Sequence, residues 1–356
     1  KVNELIKKIN KSKLKIIFVV DKNKRLIGSV SSGDLRRFLT KKINYEAKVS
    51  QIMNRKVKFL YEKNKQKIKK NKFTKSIFCI PIVNNQRKIL YFKLKKNSEV
   101  SNKKNIIFLL AGGKGVRLYP LTKNNPKPML KIKNKNIIEK IINNFKEQGF
   151  YNFVISVNYL KNKIKNFLKN GKNFGVKIKC FRENSALGTA GALSLIADDL
   201  PQHIVVTNGD IITTLNYSYM LQHHIDRNAD ATMATRKYTI YNQYGVVETK
   251  DDQITGFSEK PQYHSIINAG VYCLSKRTIK LLVKNEYCDM PTLFLRAIDI
   301  KLRTSTYPLY EDWSDIGNWN ELKNHALKTH KKNYLNIVDG NTVMEDSERN
   351  IIFKDG

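Results

Sequence analysis

The chain is short of acid. Its 356 residues carry 30 Asp and Glu against 66 Lys and Arg, a formal net charge of +36. It has no run of about 18 apolar residues, which excludes a membrane-spanning helix. Cysteine is scarce: Cys79, Cys180, Cys273 and Cys288 are widely spaced, with no Cys-x-x-Cys pair. Zinc and thioredoxin-like chemistry are therefore not expected. The first ten residues are polar and amphipathic and do not read as a secretory signal. Reduced thiols in a cytoplasmic setting are expected. Arg-Gly-Gly runs and aromatic–basic interleaving, the marks of single-strand binders, are missing. No Ser-His-Asp or Cys-His set is visible.

What is present is the composition of a folded protein, with 41% hydrophobic and 10% aromatic residues. The length suggests about two domains. The charge is uneven. Residues 1–105 hold 31 basic and 6 acidic side chains, residues 106–182 hold 17 and 2, and residues 183–356 hold 18 and 22. A polyanion-binding arm would explain this pattern. A general richness in Lys, Asn and Ile explains it more simply, so no nucleic-acid partner is expected.

Two textures meet near residue 100. Before it, short apolar runs (16–20, 26–30, 77–83, 89–94) alternate with Lys/Asn-rich turns, and 61–72 reads as a loop or exposed helix. Residues 97–105 have linker composition. From 106 a regular alternation begins: strand 106–110, helix 137–148, strand 153–157, helix 161–169, strand 176–181, helix 188–197, strand 204–207. Such alternation predicts a mostly parallel sheet with helices on both faces. Beyond Asp210 the pattern is mixed, with hairpin segments at 246–249 and 254–258 and helices at 276–283 and 292–300. Residues 331–356 show no clear period.

Directly after the first predicted strand, residues 110–122 read LAGGKGVRLYPLT. Its three glycines let backbone N–H groups approach an anion. The spacing fits neither a Walker A loop nor the dinucleotide fingerprint. Lys114 and Arg117 add a point charge and a bidentate fork suited to phosphate. In PKPML, which follows, Lys127 stands between Pro126 and Pro128 and is expected on a stiff, extended segment. Asp210 ends a strand in Gly209-Asp210, where open α/β sheets bind ligands; a helix N-cap is the plainer alternative.

These motifs resemble the signature of the sugar-1-phosphate nucleotidylyltransferases, over roughly residues 105–330. The resemblance implies a GT-A-like (Rossmann-like) α/β domain and attack of a sugar 1-phosphate on the α-phosphorus of a nucleoside triphosphate, releasing pyrophosphate. It implies that Arg117 and Lys127 are catalytic. It also implies that Leu110, Ala111, Gly112, Gly113, Lys114, Gly115, Glu183, Leu187, Gly188, Thr189, Asn208 and Gly209 bind nucleotide. Gly245, Glu259, Lys260, Asn268 and Gly270 match the sugar-phosphate motifs. Asp210 and Asp315 match the carboxylates that hold one Mg2+ in the family. Magnesium takes hard oxygens and few protein carboxylates, which suits two aspartates. The nucleophile is already an anion near neutrality, since a phosphate monoester has a second pKa of about 6, so no general base is required. Positioning and charge neutralisation remain as the catalytic tasks. The form LGTAG (187–191) is similar to that of the GDP-mannose pyrophosphorylases, which favours GTP.

Residues 1–96 resemble a small α+β CBS-domain pair. The first copy lacks its leading strand, and the second is degenerate. Ser31 and Asp34 match the family's adenosine-ribose contacts, so an adenine nucleotide is one expected ligand; packing or dimerisation without a ligand is the other reading. The implied organisation is a CBS pair over 1–96, a linker over 97–105, a nucleotidyltransferase domain over 106–330 and a tail over 331–356. The layout is similar to that of guanylyltransferases making GDP-glucosamine for legionaminic-acid synthesis, and a homo-oligomer, a dimer, is expected for this chain. Mannose- or heptose-1-phosphate guanylyl transfer, and a non-catalytic nucleotide-sugar-binding regulator, are the alternatives.

Overall fold

The computed structural model describes residues 1–12, 14–41, 44–63, 79–94, 103–132, 134–183, 185–317, 322 and 352–354. Most of 61–72 and of the 97–105 segment lies outside these. The chain forms two compact units, one of residues 1–101 and 329–356, the other of residues 102–328.

The first unit is built from the short apolar runs. Helix α1 (Val2–Lys11) buries Val2, Leu5 and Ile9, one helical face. Strands β1 (Ile16–Val20) and β2 (Leu26–Ser31) form a hairpin, followed by α2 (Ser32–Lys41). Strand β3 (Leu60–Tyr61) precedes a second hairpin of β4 (Cys79–Val83) and β5 (Ile89–Leu94). Each hairpin gains one parallel edge strand: β3 beside β4, and Ile352–Lys354 beside β1, with Val19 opposite Phe353. Thus the first sheet, for which the sequence showed no leading strand, receives its parallel partner from the tail. β4 is buried along its whole length, as a continuous apolar run requires.

The second unit follows the strand–helix alternation. In chain order its main elements are β6 (Lys103–Leu110), β7 (Lys131–Ile132), β8 (Lys135–Asn136), α3 (Ile137–Glu147), β9 (Phe150–Val157), α4 (Lys161–Leu168), β10 (Lys177–Arg182) and α5 (Gly188–Gly191). Then come β11 (His203–Asn208), β12 (Ile211–Thr213), α6 (Tyr217–Asp226), β13 (Ala231–Tyr241), β14 (Val246–Lys250), β15 (Gln253–Ser258), β16 (Gln262–Ser275), α7 (Lys276–Ile279), α8 (Met290–Asp299), β17 (Thr304–Pro308) and β18 (Trp313–Asp315). The seven-stranded sheet runs β10-β9-β6-β11-β16-β13-β17. Only the pairings of β16 with β11 and β13 are antiparallel, so the sheet is mixed and mostly parallel.

Alternation along β6 separates the two cores. Ile107 and Leu109 pack with Ile138 and Ile142 of α3 and Met220 of α6. Phe108 turns to the opposite face, with Leu293 and Phe294 of α8. Helix α3 stops where Gly149 adopts φ 86°, a left-handed conformation suited to glycine. Two predicted helices are shorter than expected. The 188–197 segment is one α-turn followed by 3-10 helix from Ala192 to Asp199. The 276–283 segment keeps only α7.

Candidate active site

The site lies where parallel strands end. Asn208 pairs with Leu110, and the Gly209 amide donates to the Leu110 carbonyl at 2.7 Å. A Cβ on Gly209 would stand 2.5 Å from that carbonyl oxygen, so only glycine lets the two strand ends meet. Asp210 is thereby set beside the glycine-rich turn. Asp315, 105 residues later, arrives through the pairing of β12 with β18, in which Ile211 faces Asp315. The Ile316 amide donates to the Asp210 carbonyl at 3.1 Å and closes the junction.

Lys127 reaches the same point. Its Nζ forms an ion pair with Asp210 Oδ2 and lies 3.9 Å from Asp315 Oδ1. The segment around it is not extended as the flanking prolines suggested. Lys127–Met129 is a 3-10 turn, closed by Met129 N to Pro126 O at 2.7 Å and Leu130 N to Lys127 O at 3.1 Å. Those two bonds outweigh the extended preference that Pro128 imposes on Lys127. Gly115, at φ 65°, packs against this lysine; a Cβ there would be 3.1 Å from Lys127 Cβ. Arg117 is exposed, and its guanidinium lies over Gly317: a Cβ on Gly317 would meet both Arg117 Nη2 and Asp315 Oδ1 at 3.1 Å. Gly113 faces open space, and Lys114 is exposed beside it. Arg117, Lys127, Asp210 and Asp315 therefore converge.

The residues fit a hard divalent cation. Asp210 Oδ1 is buried with no hydrogen-bond partner, and a buried carboxylate oxygen requires a cation or donor. Among the described residues no cluster of three or more His, Cys, Asp or Glu forms a metal site. Two carboxylates are what magnesium commonly takes from a protein, its other ligands being water and phosphate.

On the predicted nucleobase side, packing accounts for much of what is seen. Glu183 is buried, accepts from the Ser156 hydroxyl and accepts from the Leu187 amide at 3.4 Å. Burial raises its carboxyl pKa, and the Leu187 amide partly opposes this. Its Oε1 would be 3.1 Å from a Cβ on Gly112, so Glu183 ties this loop to the glycine-rich turn. Gly188 has φ 79°, and a Cβ there would sit 2.5 Å from the Cys288 carbonyl. Leu187 is buried, and the Thr189 hydroxyl accepts from the Met290 amide at 2.7 Å.

The sugar-side residues divide into two groups. The β14–β15 hairpin brings Gly245 against Glu259, whose Oε2 would be 3.1 Å from a Cβ at that glycine. Lys260 Nζ lies 3.7 Å from Glu259 Oε1, and both side chains are exposed. Asn268 is engaged within β16: its Nδ2 donates to Tyr272 OH at 2.7 Å, and its Oδ1 accepts from the Gly270 amide at 2.9 Å. Gly270, at φ 72°, lies under the Asn208 amide group. In the first unit, the Ser31 hydroxyl donates to Asp34 Oδ2 at 2.6 Å, and the Asp34 amide donates back to that hydroxyl at 3.2 Å. This reciprocal pair caps α2.

Two contributors were not singled out from the sequence. Ser156 holds Glu183, and Gly317 makes room for Arg117. Ser156 stands opposite Leu110 in the parallel pairing of β6 with β9, a placement no local pattern announces. Gly317 stands two residues past Asp315 and likewise carries no cue.

With the geometry in place, the profile of the nucleotidyl transferase family matches residues 104–332, and the chain belongs to that family. Relatives include a mannose-1-phosphate guanylyltransferase of Arabidopsis thaliana, 35% identical over 219 residues, covering 59% of this chain and 60% of the relative. A UTP–glucose-1-phosphate uridylyltransferase of Synechocystis is 30% identical over 229 residues, covering 59% of each chain. The chain thus spans about 60% of the length of these curated relatives. The crystal structure of HddC from Yersinia pseudotuberculosis shares the fold, with TM-score 0.51 and 24% identity over 63% of this chain and 99% of that one.

Proposed function

We propose that the chain is a sugar-1-phosphate nucleotidylyltransferase, joining GTP and glucosamine 1-phosphate into a GDP-sugar with release of pyrophosphate. One observation carries the reading: Arg117 and Lys127 converge on Asp210 and Asp315 at the ends of the parallel strands. Asp210 and Asp315 would hold Mg2+, which supplies positive charge where two polyanions must meet. The glycine-turn amides and Arg117 hold the triphosphate. Lys127 exchanges the Asp210 carboxylate for phosphate oxygens and neutralises charge at the reacting phosphorus. Lys260 and Glu259 receive the sugar phosphate and its hydroxyls. Guanine is favoured by the LGTAG form alone.

The first unit is read as a CBS-type pair joined through the 97–105 segment. The two hairpins of like topology support this, each with one parallel edge strand. Ser31 and Asp34 would contact an adenine nucleotide, opening their mutual cap to do so. A cytoplasmic homodimer completes the reading. The test is pyrophosphate release across four nucleoside triphosphates paired with glucosamine-, mannose-, glucose- and N-acetylglucosamine-1-phosphate. GTP with glucosamine 1-phosphate is expected to be fastest; no release with any GTP pair overturns the guanylyl assignment.

A further inference from the structure

The two hairpin turns of the first unit are copies of one another. Residues 20–27 read VDKNKRLI and residues 83–90 read VNNQRKIL. Asp21 Oδ1 accepts from the amides of Asn23 and Arg25 at 3.0 and 2.8 Å. Asn84 Oδ1 accepts from those of Gln86 and Lys88 at 3.0 and 2.9 Å. Lys24 and Arg87 occupy the same left-handed position, at φ 61° and 60°. The turns are joined by an antiparallel bridge between Arg25 and Lys88 and by Leu26 N to Arg87 O at 2.9 Å.

Along this seam runs a cleft of about 790 Å³. The cleft is open to solvent, and its cationic side chains are exposed. Five of its nine lining residues are cationic: Lys22, Lys24, Arg25, Arg87 and Lys88. The others are three amide side chains and Tyr61, and none is a carboxylate. Asp21 pairs with Arg25 at 2.7 Å, and Arg87 lies 4.8 Å over the Phe59 ring. Basic composition alone would scatter lysines over solvated faces. Here two turns of the same backbone pattern, joined by backbone bonds, gather five cations around one open cleft. Lys22, Lys24, Arg87 and Lys88 are exposed around the cleft, and an anion seated among them would offset their mutual repulsion.

We propose that this seam is a binding site for a linear triphosphate, free or carried by a nucleoside, distinct from the nucleotide site of the second unit. It is also distinct from Ser31 and Asp34. Those residues lie at the other end of β2, and five residues of strand separate Leu26 from Ser31 by about 17 Å. Lysine and arginine supply charge-assisted bonds to phosphate oxygens. Tyr61 offers a ring face, and the amides offer hydrogen bonds to a base or ribose.

The test is calorimetric titration of the full chain with inorganic tripolyphosphate and, separately, ATP, comparing the parent with the charge-reversal variant K22E/K24E/K88E. With tripolyphosphate two sites are expected in the parent, and ATP adds the one at Ser31 and Asp34. The variant should lose the seam site, or weaken it at least tenfold, while its pyrophosphate release from GTP and glucosamine 1-phosphate stays unchanged. ATP binding more tightly than tripolyphosphate at that site would assign it to nucleotides, and equal binding to the bare triphosphate. The neutral variant K22Q/K24Q/K88Q, with an intermediate loss, keeps the result readable if the reversal impairs folding. Identical stoichiometry and affinity in parent and both variants would overturn the proposal. So would a parent that binds tripolyphosphate at a single site.

Discussion

The two halves of the candidate site are built differently. In the triphosphate half, the Lys127 side chain is only 10% exposed and is already ion-paired to Asp210. In the sugar half, Lys260 and Glu259 are 67% and 77% exposed, on a hairpin beyond the main sheet. In the first half the ion pair of Lys127 with Asp210 is held by packing and backbone bonds, while Arg117 and Lys114 are exposed around it. The second half, as proposed, presents its charges from exposed side chains. A shared phosphate chemistry suits a fixed cradle, whereas discrimination among sugars suits residues whose neighbours can change.

This contrast can be broken at several points. Lys127→Ala should cause the largest loss, about 10²–10³ in kcat, as expected for removing a charge-stabilising donor. Thermal unfolding should show the variant still folded, and kcat near the parent value would break the contrast at its fixed end. Acid should weaken both halves together, through the far end of the same sheet. There His224 is fully buried, with its Nε2 3.1 Å from His203 Nδ1 and its Nδ1 2.8 Å from Thr232 Oγ1. Burial lowers its pKa to about 4, with His203 adding to the effect and Asp230 opposing it. The unfolded chain takes up that proton near 6.5, so stability held above that pH is lost as pH falls towards 4. At about 1.4 kcal/mol per unit, up to about 3 kcal/mol is at stake. Denaturant unfolding at pH 7 and pH 4.5 checks this, and His224→Gln should flatten the dependence.

Gly188→Ala should cost about 2 kcal/mol, since the new Cβ meets the Cys288 carbonyl at a left-handed backbone position. Its denaturation midpoint reads this directly. Lys260→Ala should have the smallest effect, about a tenfold rise in KM for the sugar phosphate. It should change stability by less than about 0.5 kcal/mol, as for an exposed pair. A large fall in kcat with unchanged KM would show that the sugar half is as fixed as its partner.

That Arg117 and Asp210 lie at the end of the first strands was legible in the sequence because the determinants are local. A strand, a glycine-rich turn and Arg117 follow one another within a dozen residues. Asp210 likewise announced itself at a strand end. Asp315 did not, because only the long-range pairing of β12 with β18 brings it to Asp210, and resemblance alone had pointed to it. The turn at Lys127 was misread because proline rules describe φ and ψ preferences, not the hydrogen bonds that closed this turn. Ser156 and Gly317 act through space and leave no periodic trace. In the first unit, the parallel partner of β1 comes from more than 300 residues away, beyond any local pattern.

The most direct test of the account is phosphorus NMR of the full chain with GTP, Mg2+ and glucosamine 1-phosphate. Pyrophosphate and a nucleotide diphosphosugar should appear in equal amounts, and only when the sugar phosphate is present. Cleavage to orthophosphate and GDP, or pyrophosphate formed without the sugar phosphate, would contradict it.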